Sequence, residues 1–265
     1  MSSAPPPAAS SITPHSEFHR RSPTPLAEDA ESFLVTILLA LFITTFIVQA
    51  FKIPSQSMEP TLLVGDHVLV NKFILEGTGA WYEKLLPYRP IRRGDIIVFK
   101  FPYDDHPHYV KRVIGLPGDH LRIIDGQVFV NGERLIEPYV IHDPAAEDPF
   151  GMNFPPTDRY YLYIGLRAEW AERLADYVDR NELVVPRGKF FVMGDNRDQS
   201  SDSRYWGFVD RGAIVGRPAL IYWSVRATSR DYTDRGLGGA MAGIWESLRH
   251  LPSQTRWRRM LREVH

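Results

Sequence analysis

The chain has 265 residues, of which 44% are hydrophobic and 24% charged, a composition that can bury one or two cores. Its 31 basic and 32 acidic side chains give a net charge of -1, which argues against a nucleic-acid partner because such proteins use a strongly basic surface. The absence of cysteine excludes disulfides, thiolate nucleophiles and cysteine-ligated metal sites.

The N-terminal part of the chain divides into a polar tail and an apolar run. Residues 1–32 are predicted to be a disordered tail, since they begin with many Pro, Ser and Ala residues. Residues 33–51 carry no charge, and as a helix they would cross the roughly 30 Å hydrocarbon core of a bilayer. We interpret this run as one transmembrane helix, with the lipid bilayer as a partner. A buried helix of a soluble core and a cleavable export signal are the alternatives.

Residues 52–226 are predicted to form a mainly β domain. Short β-branched or apolar runs, separated by glycine and proline, indicate strands over 67–70, 96–99, 121–124, 127–130, 189–193 and 219–223. Asp125-Gly126 predicts a tight hairpin turn. Residues 167–180 have the spacing of an amphipathic helix, and we expect an inserted lobe over about 125–190.

The last segment, 227–265, is a basic tail. Apolar residues and arginines alternate over 243–265, which suits an amphipathic helix on an anionic membrane or, equally, a solvated tail. Trp81 and Leu85 lie among basic residues in a stretch that also suits the lipid headgroup layer.

Patterns that suggest a metal or cofactor are weak, so neither is predicted. Potential metal ligands cluster at Asp104, Asp105, His106 and His108. They lie in one loop around a proline, which favours a solvated turn. Residues 236–243 are glycine-rich but lack the spacing of a dinucleotide-binding loop and have no clear strand before them.

Two serines lie a few residues after the apolar run, in residues 53–62 (IPSQSMEPTL). Serine beside proline is usually a turn former, so this segment alone does not indicate catalysis. A serine nucleophile needs a base to take its proton, and the chain has no G-x-S-x-G nucleophile elbow to indicate a histidine mechanism. A lysine serves as base when burial among apolar groups makes it neutral. Lys111 meets that condition in the strand-like residues 109–114 (YVKRVI), although a surface lysine is the simpler interpretation of this segment alone.

A third polar segment, residues 193–204 (MGDNRDQSSDSR), directly follows an apolar strand. By itself it suits a capped turn, and it lacks the glycine and glutamate of a calcium-binding loop. In this order, and with residues 92–100 (RRGDIIVFK) between the first two, the three segments resemble the signature blocks of bacterial type I signal peptidases, serine–lysine peptidases. The resemblance runs from residue 33 to about 224.

The resemblance implies a membrane-bound serine endopeptidase that removes signal peptides from exported proteins by cutting after Ala-x-Ala. It implies Ser57 as the nucleophile, Lys111 as the general base, and the Ser57 N–H with the Ser55 hydroxyl as the oxyanion hole. Ser200 would orient the lysine. Support for the last block would come from Asp195, Arg197, Asp202 and Arg204, the last two as an ion pair. The pocket for small substrate side chains would be formed by Ile53, Pro54, Met58, Leu62, Tyr109 and Val110.

The resemblance also implies a location. The β-rich catalytic domain would lie on the extracytoplasmic side of the bacterial inner membrane, behind a cytoplasmic tail and one membrane helix. Gln56 departs from the family pattern, which often has glycine between the two serines. Two alternatives stay open: a serine–lysine peptidase dedicated to a single client, and an inactive membrane-anchored scaffold that binds exported proteins.

Overall fold

The computed structural model describes residues 25–72, 89–101, 108–143, 152–156, 165–226 and 253–265. In these ranges the helices are α1 (Pro25–Phe42), α2 (Ala168–Arg173) and α3 (Ser203–Trp206). The strands are β1 (Val48–Lys52), β2 (Asp66–Asn71), β3 (Ile96–Lys100), β4 (His108–Gly115), β5 (His120–Ile124), β6 (Gln127–Val130), β7 (Glu133–Arg134), β8 (Val178–Asp179), β9 (Glu182–Val184), β10 (Lys189–Met193), β11 (Val209–Asp210), β12 (Ile214–Ser224) and β13 (Arg262–Glu263). The prediction of a mainly β domain is confirmed.

Some expectations fall on residues outside the described ranges. They concern residues 1–24 of the N-terminal tail, the stretch around Trp81 and Leu85, the loop with Asp104, Asp105 and His106, and residues 227–252. The rest of the predicted disordered tail, residues 25–32, is described and belongs to α1, so the prediction of disorder is wrong there.

The apolar run 33–51 divides between a helix and a strand. α1 ends at Phe42, a π-helical turn covers Ile43–Ile47, and β1 pairs antiparallel with β2. The prediction of a single helix to residue 51 is therefore wrong at its C-terminal end, because the last residues of the run gain a complete ladder of backbone hydrogen bonds with β2. Among the described helices, none has both the length and the apolarity needed to cross a membrane.

The larger sheet carries the strands that hold the candidate site. Over the described residues its order is β1-β2-β12-β3-β4-β10-β11, with β13 added on β12. The first residues of β12 pair with β3 and its later residues pair with β2. Gly216 lies where β12 passes between these partners, and a Cβ there would come within 2.5 Å of the Asn71 carbonyl oxygen. A larger residue would thus force apart the strands that join β1 to β4.

The smaller sheet has the order β7-β6-β5-β9-β8 in the described part of the chain, and we use the name inserted lobe for the residues between β4 and β10 that carry it. This sheet begins at His120, slightly earlier than expected. Asp125 and Gly126 have φ angles of 50° and 75°, which fits the predicted tight turn between β5 and β6. Buried Leu121, Val128 and other apolar side chains form the core of this lobe.

The helix predicted over 167–180 is shorter than expected. α2 ends at Arg173, a 3-10 turn covers Leu174–Tyr177, and β8 follows. Arg180 and Asn181 have φ angles of 49° and 63°, which makes the turn of the β8–β9 hairpin. The prediction fails here because strand pairing, which the sequence period does not show, replaces the last helical turn.

The described C-terminal residues, 253–265, form neither of the two expected structures, the amphipathic helix or the solvated tail. Trp257–Arg259 form a 3-10 turn, and β13 pairs with β12. Val264 is buried in the core beside Ile53 and Met58. This segment gains edge hydrogen bonds from β12 and buries an apolar side chain, neither of which an isolated helix on the surface would provide.

Candidate active site

Ser57 lies in a 3-10 turn, Gln56–Met58, in the connection between β1 and β2. The Leu62 N–H donates to the Met58 carbonyl oxygen at 2.8 Å, so the chain folds back directly after the turn. The Ser57 carbonyl oxygen accepts a hydrogen bond from the Asn196 N–H at 3.2 Å. Ser57 is buried, with 6% of its surface exposed, and these two hydrogen bonds fix the backbone of the turn.

Lys111 lies in β4, and its side chain meets that of Ser57. Its Nζ donates a hydrogen bond to the Ser57 Oγ at 2.6 Å, although 54 residues separate the two in the sequence. The residue is only 3% exposed. Burial lowers the pKa of Lys111 from 10.5 to about 8, against the opposing effect of the carboxylates of Asp202 and Asp195. The structure therefore joins the predicted nucleophile and the predicted base in one buried contact.

Ser55 precedes the turn and lies beside Ser57. Serine in this position usually caps a helical turn, but the Ser55 side chain makes no capping hydrogen bond. Its Oγ lies 3.3 Å from the Ser57 Oγ instead. The hydroxyl is thus directed to the reacting atom of the candidate nucleophile. Gln56, between them, is exposed to solvent.

Ser200 is placed near this pair but does not bind the lysine directly. Its Oγ is buried and has no hydrogen-bond partner among the described residues. Gly194 lies between Ser200 and the Ser57 backbone, where a Cβ would overlap both the Ser200 Oγ and the Ser57 carbonyl oxygen. The close approach of the last polar block to the nucleophile therefore requires glycine at position 194.

Asp202 and Arg204 form the expected ion pair. The Arg204 Nε and Nη2 donate to the two Asp202 oxygens at 2.8 and 2.9 Å, and both residues are fully buried. Burial alone would raise the pKa of Asp202, but the charge and hydrogen bonds of Arg204 hold that pKa below its usual value. The Asp202 carboxylate also accepts a hydrogen bond from the Gly194 N–H at 3.1 Å, so the pair fixes the start of the block.

Asp195 and Arg197 support the same block through partners that the sequence did not indicate. Asp195 accepts hydrogen bonds from the Arg112 Nε and Nη2 at 2.8 and 2.7 Å. Arg197 donates to both carboxylate oxygens of Glu137, in the inserted lobe, through its two terminal nitrogens. Both arginines are buried, so each ion pair neutralises a charge in the protein interior.

A cavity of about 420 Å³ opens beside the serine and the lysine. Four of the predicted pocket residues line it, namely Ile53, Pro54, Tyr109 and Val110. The other two do not: Met58 and Leu62 are fully buried in the core beneath Ile53. The rest of the lining consists of Phe51, Lys52, Ser55, Ser57, His108 and Lys111.

Three residues that contribute to the site were not predicted from the sequence, and only two of them stand in a sequence context that could have indicated their role. Arg112 is one, because an arginine inside an apolar strand usually has a buried acidic partner. Gly194 is the other, as a glycine next to a dense polar block. Glu137 has no such context, since its distance in sequence from Arg197 hides their contact. The described residues contain no group of three or more His, Cys, Asp or Glu side chains arranged to hold a metal ion.

Known proteins with similar sequences are signal peptidases. Residues 26–223 match a family model described as "Signal peptidase, peptidase S26". The chain is 34% identical to signal peptidase I of Pseudomonas aeruginosa, over 75% of this chain and 73% of that protein. It is also 34% identical to probable signal peptidase I-2 of a Synechocystis species, covering 83% and 84% of the two chains. A solved structure of a signal peptidase I from Enterococcus faecalis aligns with 30% identity and a TM-score of 0.31, over 49% of this chain and 97% of that one.

Proposed function

Because this chain belongs to the signal peptidase family, peptidase S26, and removes signal peptides from preproteins, we propose that Ser57 and Lys111 carry that reaction. Ser57 is the nucleophile and Lys111 is the general base. The observation that supports this most is the 2.6 Å contact between the Lys111 Nζ and the Ser57 Oγ, both buried.

Burial of Lys111 makes it a usable base. With a pKa of 10.5, only about one lysine in 3,000 is neutral at about pH 7, whereas with a pKa of about 8 roughly one in ten is. The neutral amine accepts the Ser57 proton while Oγ attacks the scissile carbonyl carbon. The resulting ammonium then protonates the leaving amine nitrogen, which leaves an acyl-enzyme on Ser57. Water, deprotonated by the same lysine, hydrolyses that ester.

The oxyanion hole consists of the Ser57 N–H and the Ser55 hydroxyl. The first N–H groups of a helical turn lack intrahelical partners, and Ser57 lies in such a turn. Because the Ser55 hydroxyl does not cap the turn, it can donate to the oxygen that becomes negative during attack. Loss of one such donor usually lowers kcat by about 100- to 1,000-fold. We expect Ser55→Ala to fall in that range while KM changes little.

Ser200 orients Lys111 once substrate is bound. Its buried hydroxyl has no partner among the described residues, and buried hydroxyls rarely remain unpaired. Lysine can donate three hydrogen bonds, and here it uses one on Ser57. A hydrogen bond between the Ser200 hydroxyl and the Lys111 Nζ would satisfy both groups.

The cavity selects small substrate side chains. Ile53, Tyr109 and Val110 form apolar walls close to the nucleophile, which suits alanine before the cut and excludes larger residues by steric overlap. Replacement of Val110 by alanine should therefore allow cleavage after larger residues. A cavity that accepts only small side chains near the cut would produce the proposed preference for Ala-x-Ala.

The site works at the extracytoplasmic surface of the bacterial inner membrane, with the helical part of the apolar run in contact with lipid. Apolar side chains of α1 are exposed, among them Phe33 at 69% and Leu38 at 57%. From Phe33 to Phe42 this helix carries no charged residue, and such an apolar stretch needs an apolar environment. Retention in membranes after alkaline carbonate washing would support this anchorage, and release of the full chain by the same wash would contradict it.

Cleavage of a precursor with an Ala-x-Ala signal peptide by the detergent-solubilised chain tests the proposal. Wild type should cut after the final alanine, and Ser57→Ala and Lys111→Ala should be inactive but folded. Lys100→Ala is a matched control, because this exposed lysine lies on the neighbouring strand. Activity in Lys111→Ala would eliminate lysine as the base.

The choice of precursor separates the remaining alternatives. A panel of unrelated precursors should all be cut, whereas cleavage of one alone would indicate a peptidase dedicated to a single client. An inactive scaffold would cut none of them while still binding preproteins.

A further inference from the structure

The C-terminal segment, residues 253–265, contacts the loop that carries the proposed nucleophile. We define that nucleophile loop as residues 53–66. The loop is closed at its base, because the Ile53 N–H donates to the Asp66 carbonyl oxygen at 2.8 Å and the Gly65 N–H donates to the Ile53 carbonyl oxygen at 2.9 Å. Ser57 therefore owes its position to this loop, while Lys111 belongs to a strand of the sheet.

Arg259 makes the strongest contacts between the two. Its Nη2 donates to the Thr61 carbonyl oxygen at 2.9 Å and to the Asp66 carboxylate at 2.6 Å, and its Nε adds a bond of 3.3 Å to the other Asp66 oxygen. Asp66 is fully buried and also binds the Leu63 N–H and the Ser224 hydroxyl. One guanidinium thus holds both the middle and the base of the nucleophile loop.

Other contacts of the segment act on the same loop. The Arg256 Nη1 donates to the Val64 carbonyl oxygen at 2.9 Å. Val264 packs in the core with Ile53 and Met58, the second of which directly follows the nucleophile. None of the described C-terminal residues lines the cavity beside the serine and lysine, so their contribution to catalysis would be indirect.

We infer that Arg259 is a positioning residue, which keeps Ser57 at hydrogen-bond distance from Lys111 by fixing the Thr61 carbonyl and the Asp66 carboxylate. This inference rests on the proposed function, and it concerns a segment beyond residue 223, where the match to the family model ends. The physical reason is that a displacement of about 1 Å between reacting groups can cost about 100-fold in rate.

The test compares Arg259→Ala and Arg259→Lys with Arg258→Ala in the full, detergent-solubilised chain. Arg258 is adjacent in sequence but exposed, which makes it a matched control. For each variant, kcat, KM and the pH profile are measured on an Ala-x-Ala precursor, and the folded fraction is measured by circular dichroism. We expect kcat of Arg259→Ala to fall about 10- to 100-fold. The rising limb of its pH profile should move to higher pH, because Lys111 becomes less shielded from water. Arg258→Ala should match wild type.

Unchanged kcat and an unchanged pH limb in folded Arg259→Ala would overturn the inference, even if the variant melts at a lower temperature. If Arg259→Ala does not fold, Arg259→Lys decides. In Arg259 one nitrogen, Nη2, binds both the Thr61 carbonyl and Asp66, and Nε adds a second bond to Asp66. The lysine ammonium keeps a charge beside Asp66, but it ends one bond short of the Nη2 position and has no second donor nitrogen, so it cannot hold Thr61 and Asp66 together. Wild-type kcat in Arg259→Lys would therefore again overturn the inference. A wild-type chain that cleaves no precursor would refute the proposed function itself, a result distinct from any difference between variants.

Discussion

Replacement of Lys111 by methionine should stabilise the fold while it abolishes cleavage. The pKa of Lys111 falls from 10.5 to about 8 because burial disfavours the ammonium. At 1.36 kcal/mol per pH unit, the protonated lysine therefore lowers the free energy of unfolding by about 3 kcal/mol. Methionine has a similar length and no charge, so Lys111→Met should recover most of that amount at about pH 7.

The pH dependence of the stability difference between Lys111→Met and wild type shows whether the buried ammonium causes it. Below about pH 8 the lysine is protonated in both the folded and the unfolded chain, so the folded chain is destabilised by the full free energy of burying the ammonium. Between about 8 and 10.5 the folded chain has released the proton while the unfolded chain still binds it, so wild-type stability rises with pH. The advantage of Lys111→Met should thus be complete below about pH 8 and disappear towards 10.5.

Thermal unfolding followed by tryptophan fluorescence measures this difference. A gain of about 3 kcal/mol corresponds to roughly 6 to 12 °C in Tm for a chain of this size. Lys100→Met, which removes an exposed lysine on β3, should shift Tm by far less. Two results would refute this reasoning: Lys111→Met is no more stable than wild type, or its gain in stability does not shrink with rising pH. Either would mean that the lysine is not desolvated, and its lowered pKa would then no longer support a role as the base.

Three further predictions address the surroundings of this lysine. The kcat/KM of wild type should rise about tenfold per pH unit and level off above about pH 8, where Lys111 of the free enzyme is neutral; a profile flat from pH 6 to 10 would count against it as base. Gly194→Ala should lower kcat at least about tenfold, because its Cβ would displace the carbonyl of the nucleophile; wild-type steady-state kinetics would refute this. Arg112→Met should cost about 3 to 5 kcal/mol in denaturant unfolding, since it leaves the buried Asp195 carboxylate with the Thr61 hydroxyl but without its arginine; a loss below about 1 kcal/mol would show that water or another cation replaces the guanidinium.

The parts of the fold that could be predicted are those in which local pattern decides the structure. Short β-branched runs and the Asp125-Gly126 turn gave the right strands and hairpin, because strand propensity and positive φ are properties of neighbouring residues. The helix over 33–51 was predicted too long, since hydrophobicity does not distinguish a lipid-facing helix from residues that pair with β2. The C-terminal segment was misassigned for a related reason: its partner strand lies about 40 residues earlier, a separation that no local period reveals.

The candidate site divides in the same way. The serine, the lysine and the last polar block were recognisable as segments, and the structure brings all three together. Which acid binds which arginine was not recognisable, because the pairs of Asp195 with Arg112 and of Arg197 with Glu137 join separate strands and lobes. The pocket was predicted in part, since the sequence does not tell whether an apolar residue lines a cavity, as Ile53 does, or lies beneath it, as Met58 does.

The contact between Glu137 and Arg197 has a consequence for attempts to build a smaller enzyme. The inserted lobe cannot be removed without a loss of stability, because its Glu137 neutralises the charge of Arg197, which is only 2% exposed. Excision of the lobe between Gly115 and Lys189 would leave that arginine without its partner, at a cost of about 3 to 5 kcal/mol, and would loosen the polar block behind the nucleophile. A deletion confined to the β5–β6 hairpin turn, at Asp125–Gly126, removes neither residue of the ion pair and is therefore the safer route to a compact variant.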